Sequence, residues 1–136
     1  MIFVDDDHER FFKNNIEKGY ENDSYRQALF YCLGINPTTR EHIDRIYDFN
    51  ENSIILECIN EGWQTTGTLA VTRLAFNLYN NGTPTVALYD EDQEQQLAEC
   101  RQYTVENIFS VTAYTDYFIQ AIQIRYPKVE SEEVDL

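Results

Sequence analysis

The chain reads as all-α: a compact single-domain bundle of about five to six helices, and three observations predict it. The first is Trp63 to Asn80, WQTTGTLAVTRLAFNLYN. With Val71 as origin and about 100° per residue, Leu74, Ala75, Phe76, Leu78 and Tyr79 cover most of the circumference, and Arg73, Asn77 and Asn80 stay polar. A helix that apolar must be enclosed by others. The second is Ala113 to Tyr126, where Tyr114, Tyr117, Phe118, Ala121, Ile122 and Ile124 leave only Asp116, Gln120 and Gln123 as a polar stripe. The third is composition: five Gly and three Pro in 136 residues disfavour a loop-rich β-sandwich. These observations place a buried central helix at residues 68–80 and a buried C-terminal helix at 113–126, packed directly on each other.

The elements follow in order. Asp5, Asp6 and Asp7 precede a helical spacing of His8, Phe11, Phe12, Asn15 and Ile16, with Gly19 placed to end the helix. His8 is either set against the core or solvated, and without a second His at i+4 a metal role is disfavoured. Asn22, Asp23 and Ser24 form a cap cluster ahead of Tyr25 to Leu33, a core helix ending at Gly34. After Asn36-Pro37, Thr38 or Thr39 caps a third helix that turns Ile43, Ile46 and Tyr47 inward, with Glu41 and Arg45 spaced as an i,i+4 pair. Ile54 to Ile59 is ambiguous between a short strand and a helical turn, and the turn is favoured around Glu57 to Asn60, with Phe49 anchoring the loop beneath the central helix. Thr65, Thr66 and Thr68 start the central helix; Asn80-Asn81-Gly82 and Thr83-Pro84 stop it. Between Asp90 and Arg101 only Leu97 and Cys100 offer anchors, so that helix lies on the surface. Thr104 caps a short helix carrying Val105, Ile108 and Phe109. Pro127 closes the domain at 1–127, and residues 128–136, rich in Glu and Asp, are expected to be a disordered acidic tail.

Charge is the strongest global signal. Twenty-four acids against ten bases give a formal net charge of −14. Such a surface repels nucleic-acid phosphates and anionic membranes, and favours a basic protein partner. Acidity also keeps cytosolic proteins soluble, which is the bland reading. Cys32, Cys58 and Cys100 form no C-x-x-C pair and are odd in number, which fits a reducing cytoplasm and buried thiols rather than a metal site. No stretch approaches the roughly 18 apolar residues of a membrane span, and the N-terminus lacks a signal-peptide pattern.

Two groups are candidates for function. Asp90, Glu91, Asp92 and Glu94, with Glu99 nearby, crowd carboxylates into a short run. If helical at about 1.5 Å per residue, the run approaches the charge spacing of duplex DNA, about one per 1.7 Å. Acids at a helix start are also the dipole-favoured choice. Trp63 and Gln64 with Arg73 and Asn77 form the second group: either a helix entrance with hydrogen-bonded polar side chains, or a pocket for an anion. None of the phosphate-loop, dinucleotide, zinc-protease or nucleophile-elbow motifs occurs, so no catalytic residue, metal or cofactor is expected, and the chain is read as a non-enzyme.

Five blocks carry a resemblance: Ala28-Leu-Phe-Tyr31, Ile46-Tyr-Asp-Phe49, Trp63-Gln-Thr-Thr-Gly67, Arg73-Leu-Ala-Phe-Asn-Leu-Tyr-Asn80 and Ala121-Ile-Gln-Ile-Arg-Tyr-Pro127. In this order they resemble a family of small proteins of Firmicutes and their phages and mobile elements, catalogued as a domain of unknown function. The resemblance implies a compact domain and carries over no catalytic residue. Joined to the charge, it leads to an inhibitor of a host nucleic-acid-directed defence nuclease, anti-CRISPR-like. Such an inhibitor would fill the nucleic-acid groove of a CRISPR effector. The alternative is a generic intracellular helical interaction or regulatory module without enzymatic activity.

Overall fold

Side-chain caps fix most helix starts in this protein. The computed structural model describes residues 1–88 and 91–128, and within them lie eight α-helices and one two-stranded hairpin. They are α1 (Asp6–Ile16), α2 (Ser24–Leu33), α3 (Pro37–Glu41), α4 (Ile43–Ile46), β1 (Tyr47–Asp48), β2 (Ser53–Ile54), α5 (Thr66–Asn80), α6 (Gln93–Arg101), α7 (Val105–Ile108) and α8 (Thr115–Arg125). Asp5, Asp23, Asn36, Thr65, Asp92 and Thr104 each accept a first-turn backbone N–H with the side chain, satisfying a donor that has no intrahelical partner. The capping residue of α3 is Asn36, not Thr38 or Thr39. Thr39 is fully buried and donates its hydroxyl to the Leu33 and Asn36 carbonyls.

The helix count exceeds the expected five to six, in part because the third helix breaks at His42 into α3 and α4. The last helix is preceded by a separate 3₁₀ turn, Thr112–Tyr114. The ambiguous stretch satisfies both readings. Ser53–Ile54 pairs antiparallel with Tyr47–Asp48, and Leu56–Asn60 is a 3₁₀ turn.

The core is organised by α2. Its six consecutive residues Ala28 to Leu33 are all 0% exposed, and α1, α5 and α8 each pack on it. The expected direct contact of central and C-terminal helices is present but is the smaller one: both pack more extensively on α2. On α8 only Phe118, Ala121 and Arg125 are buried, while Ile119 is exposed, so that helix covers one face rather than being enclosed. Gly34 marks how closely α1 lies: a Cβ there would stand 2.6 Å from His8 Cδ2 and 2.9 Å from Phe11 Cδ1. Phe49 stacks on Phe30 of α2 at 5.8 Å, while the hairpin also meets α5, whose Tyr79 hydroxyl donates to the Asn52 carbonyl at 3.1 Å.

Two arginines are drawn into this interior. Arg26 pairs with Asp23 at 2.7 Å and donates to the Tyr47 hydroxyl and the Asn52 carbonyl, tying α2 to the hairpin. Arg125 donates from Nε to the Leu78 carbonyl at 3.1 Å and from Nη2 to Asn81 Oδ1 at 2.6 Å. Its guanidinium lies 3.6 Å from the centre of the Tyr25 ring. A cation from α8 thus completes the C-terminal end of α5, where orphan carbonyls attract positive charge. Asn81 supplies the left-handed exit there, at φ 56°.

Candidate functional site

The site is built from the helix that fails to bury anything. The α6 sequence, QEQQLAECR, has too few apolar residues for an inward stripe, and none of its residues is buried. It is held by polar contacts instead. The Glu99 carboxylate accepts from the backbone N–H of Val86 at 2.7 Å and of Ala87 at 3.0 Å. Immediately after α6, Tyr103 turns into the body and is 8% exposed.

Gln95, Ala98, Glu99 and Gln102 recur at helical spacing on one side of α6 and its C-terminal cap, and they roof a pocket of about 240 Å³. Its floor is Arg73 of α5, with Asn60 and Tyr103 beside it. A second pocket of about 200 Å³ also includes Arg73 and Gln102, together with Asn107 and Ser110. Arg73 Nε and the Tyr103 hydroxyl are both buried and make no hydrogen bond among the described residues. No carboxylate is paired with Arg73 among the described residues, in contrast to Arg10, Lys13, Arg26, Arg40 and Arg45. Burial lowers the Arg73 pKa, opposed by the neighbouring Tyr103, and burial drives the Tyr103 hydroxyl well above the usual phenol value.

The sequence-predicted pocket residues do not converge. Trp63 stacks on His42 at 4.3 Å between ring centres and donates from Nε1 to Glu61 at 2.8 Å. Gln64 donates to the Cys58 carbonyl and accepts from the Thr68 hydroxyl. Asn77 donates to the Gly82 carbonyl, closing the exit of α5. These three serve the ends of α5, and only Arg73 lines the two polar pockets. Glu61 also takes Arg45, in place of the expected Glu41–Arg45 pair. Tyr103 was missed as Arg73's neighbour because it lies thirty positions away in sequence and belongs to no motif.

The acidic run is placed as follows. Glu91, Asp92 and Glu94 are exposed, and Asp90 lies outside the described residues, as do positions 129–136 of the predicted tail. Asp92 is the helix cap, accepting from Gln95 N–H at 2.9 Å, and Glu94 sits in the first turn. Since α6 begins at Gln93, Glu91 and Asp92 precede it, and a helical ladder of four carboxylates does not form. Glu99, grouped with the run in sequence, faces the pocket and the loop at 86–87.

Elsewhere chemistry is sparse. Cys32 and Cys58 are buried, and burial pushes the Cys58 thiol up to about 12, away from the reactive thiolate. Among the described residues no His, Cys, Asp and Glu group is arranged to hold a metal ion. Among them, too, no helix is long and apolar enough to cross a membrane.

Fold and site together define a small helical domain with an unsatisfied polar pocket under an acidic surface helix. Its residues 1–135 match a family of unknown function, DUF6075, and the chain belongs to that family. No curated protein and no solved structure gives a significant match.

Proposed function

We propose that the protein acts by binding rather than by catalysis, docking an acidic face onto a basic groove of a partner protein. The observation that carries this reading is the segregation of charge. Between residues 74 and 124 the sequence has seven carboxylates and a single base, Arg101. Meanwhile Arg26 and Arg125 are spent on internal hydrogen bonds, and Lys18 lies over the Phe49 ring at 3.8 Å. Several cations are paired or hydrogen-bonded internally while Glu91, Asp92 and Glu94 face water beside the single base of that stretch, the exposed Arg101, an excess of negative charge that steers association with a basic surface.

The specific form of the proposal is an inhibitor encoded by a phage or mobile element and directed at a nucleic-acid-directed defence nuclease, anti-CRISPR-like. It would occupy the groove that holds the nuclease's nucleic acid. The surplus of carboxylates between residues 74 and 124 supports this, and not a helical ladder that would mimic a duplex, which does not form. The alternative, a regulatory module whose acidity only keeps it in solution, would bind its partner independently of these carboxylates.

The test is association with a CRISPR effector nuclease between about 0.1 M and 1 M salt, over which the screening length falls from about 10 Å to about 3 Å. Affinity should fall steeply and should be lost in Glu91→Lys/Glu94→Lys. Binding that ignores both salt and charge reversal would remove the docking reading and favour the alternative.

A further inference from the structure

The pocket under α6 has two buried polar groups left without partners, and burying such groups costs free energy unless something completes them. In this chain they are a cation and a phenol side by side: Arg73 Nε and the Tyr103 hydroxyl. A guanidinium carries two parallel N–H donors along its Nε edge, a fork that matches a carboxylate. Tyr103, which carries a further donor, lines the same pocket, as does Gln102.

The neighbouring Glu99 sets the charge of the ligand. Its oxygens are directed to the Val86 and Ala87 amides, yet its negative charge stays in the pocket wall and opposes a dianion. At about 240 Å³ the space falls below the roughly 300–1,000 Å³ of pockets for drug-sized ligands. We infer that the pocket binds a small monocarboxylate, held by Arg73 and Tyr103 and roofed by α6. The ligand would bridge α5 to a helix that otherwise buries nothing, so occupancy would tighten the segment bearing Glu91, Asp92 and Glu94. This inference is independent of the docking proposal, because the pocket and the exposed carboxylates are separate features.

The experiment titrates the full chain with acetate, lactate and pyruvate at constant ionic strength in a chloride background, followed by NMR shifts of α6 amides. Inorganic phosphate forms a parallel arm. Saturable binding of a monocarboxylate tighter than about 1 mM is expected, weakened at least about tenfold in Arg73→Met and Tyr103→Phe. Tyr103→Phe keeps the ring, so its fold is secure if Arg73→Met proves unstable. In the absence of ligand it should unfold at a higher temperature than the wild type, because it deletes an unpaired buried hydroxyl. A merely structural hydroxyl would give the opposite sign. Absence of saturable monocarboxylate binding, binding indifferent to both variants, or tighter binding of phosphate would each overturn the assignment.

Discussion

Helices α2 and α6 are nearly equal in length, and almost everything else about them differs. In α2 the last six residues are completely enclosed, and three other helices use it as their support. In α6 nothing is buried, and the helix is fastened by one carboxylate on two loop amides and by the tyrosine that follows it. The first stores apolar burial at about 25 cal/mol per Å² and is therefore where stability resides. The second gives up that stabilisation and gains a charged outer face and a polar inner one. If the proposed docking face is right, stability and partner binding can be altered separately, because the core support is α2 and the proposed face is borne by α6 and the residues before it.

Several changes would break or sharpen that contrast. The largest effect belongs to the α2 layer. Phe30→Ala removes a fully buried ring that contacts Tyr20, Tyr47 and Phe49, and should cost about 3–5 kcal/mol, read as a lower urea midpoint. Arg125→Met follows. It strips the Leu78 carbonyl and Asn81 of a charged donor and should cost about 2–3 kcal/mol in the same assay.

His8 gives the contrast a pH signature. It is completely buried, takes the Val4 N–H on Nδ1 at 3.0 Å and donates from Nε2 to the Tyr31 carbonyl at 2.7 Å, so only the neutral ring fits. Burial holds its folded pKa below 6.5. The unfolded chain takes up the proton first, so the contribution is complete above about 6.5 and is lost as pH falls through that value. Stability should begin to decline as pH falls toward about 6.5 and keep declining until the lowered folded pKa is passed, and His8→Gln should flatten that decline. The smallest effect belongs to α6: Glu91→Lys/Glu94→Lys should stay within about 0.5 kcal/mol of the wild type in unfolding, while abolishing partner binding.

Much of this fold was legible in the residues. Cap signals at Asp23, Thr65 and Thr104 and the exit at Asn80-Asn81-Gly82 are local, and the structure places helices there. What sequence misjudged was hierarchy. An apolar circumference shows that a helix can be covered, and not which neighbour covers it. On those grounds α5 and α8 looked central, whereas α2, with its unbroken apolar run from Ala28 to Leu33, became the support. The site was less legible. Arg73 stood out as a polar residue on a greasy helix, but its neighbour Tyr103 is brought in by tertiary folding alone. Trp63 was open to two readings, helix entrance or pocket, and its stacking on His42 fits the first.

Native-state hydrogen exchange tests the division between the two helices most directly. The amides of Leu29 to Leu33 should exchange only through global unfolding, and those of Gln96 to Arg101 through local opening at least about 100-fold faster. Equal protection in the two helices would contradict the account, because α6 would then belong to the cooperative core rather than lie against it.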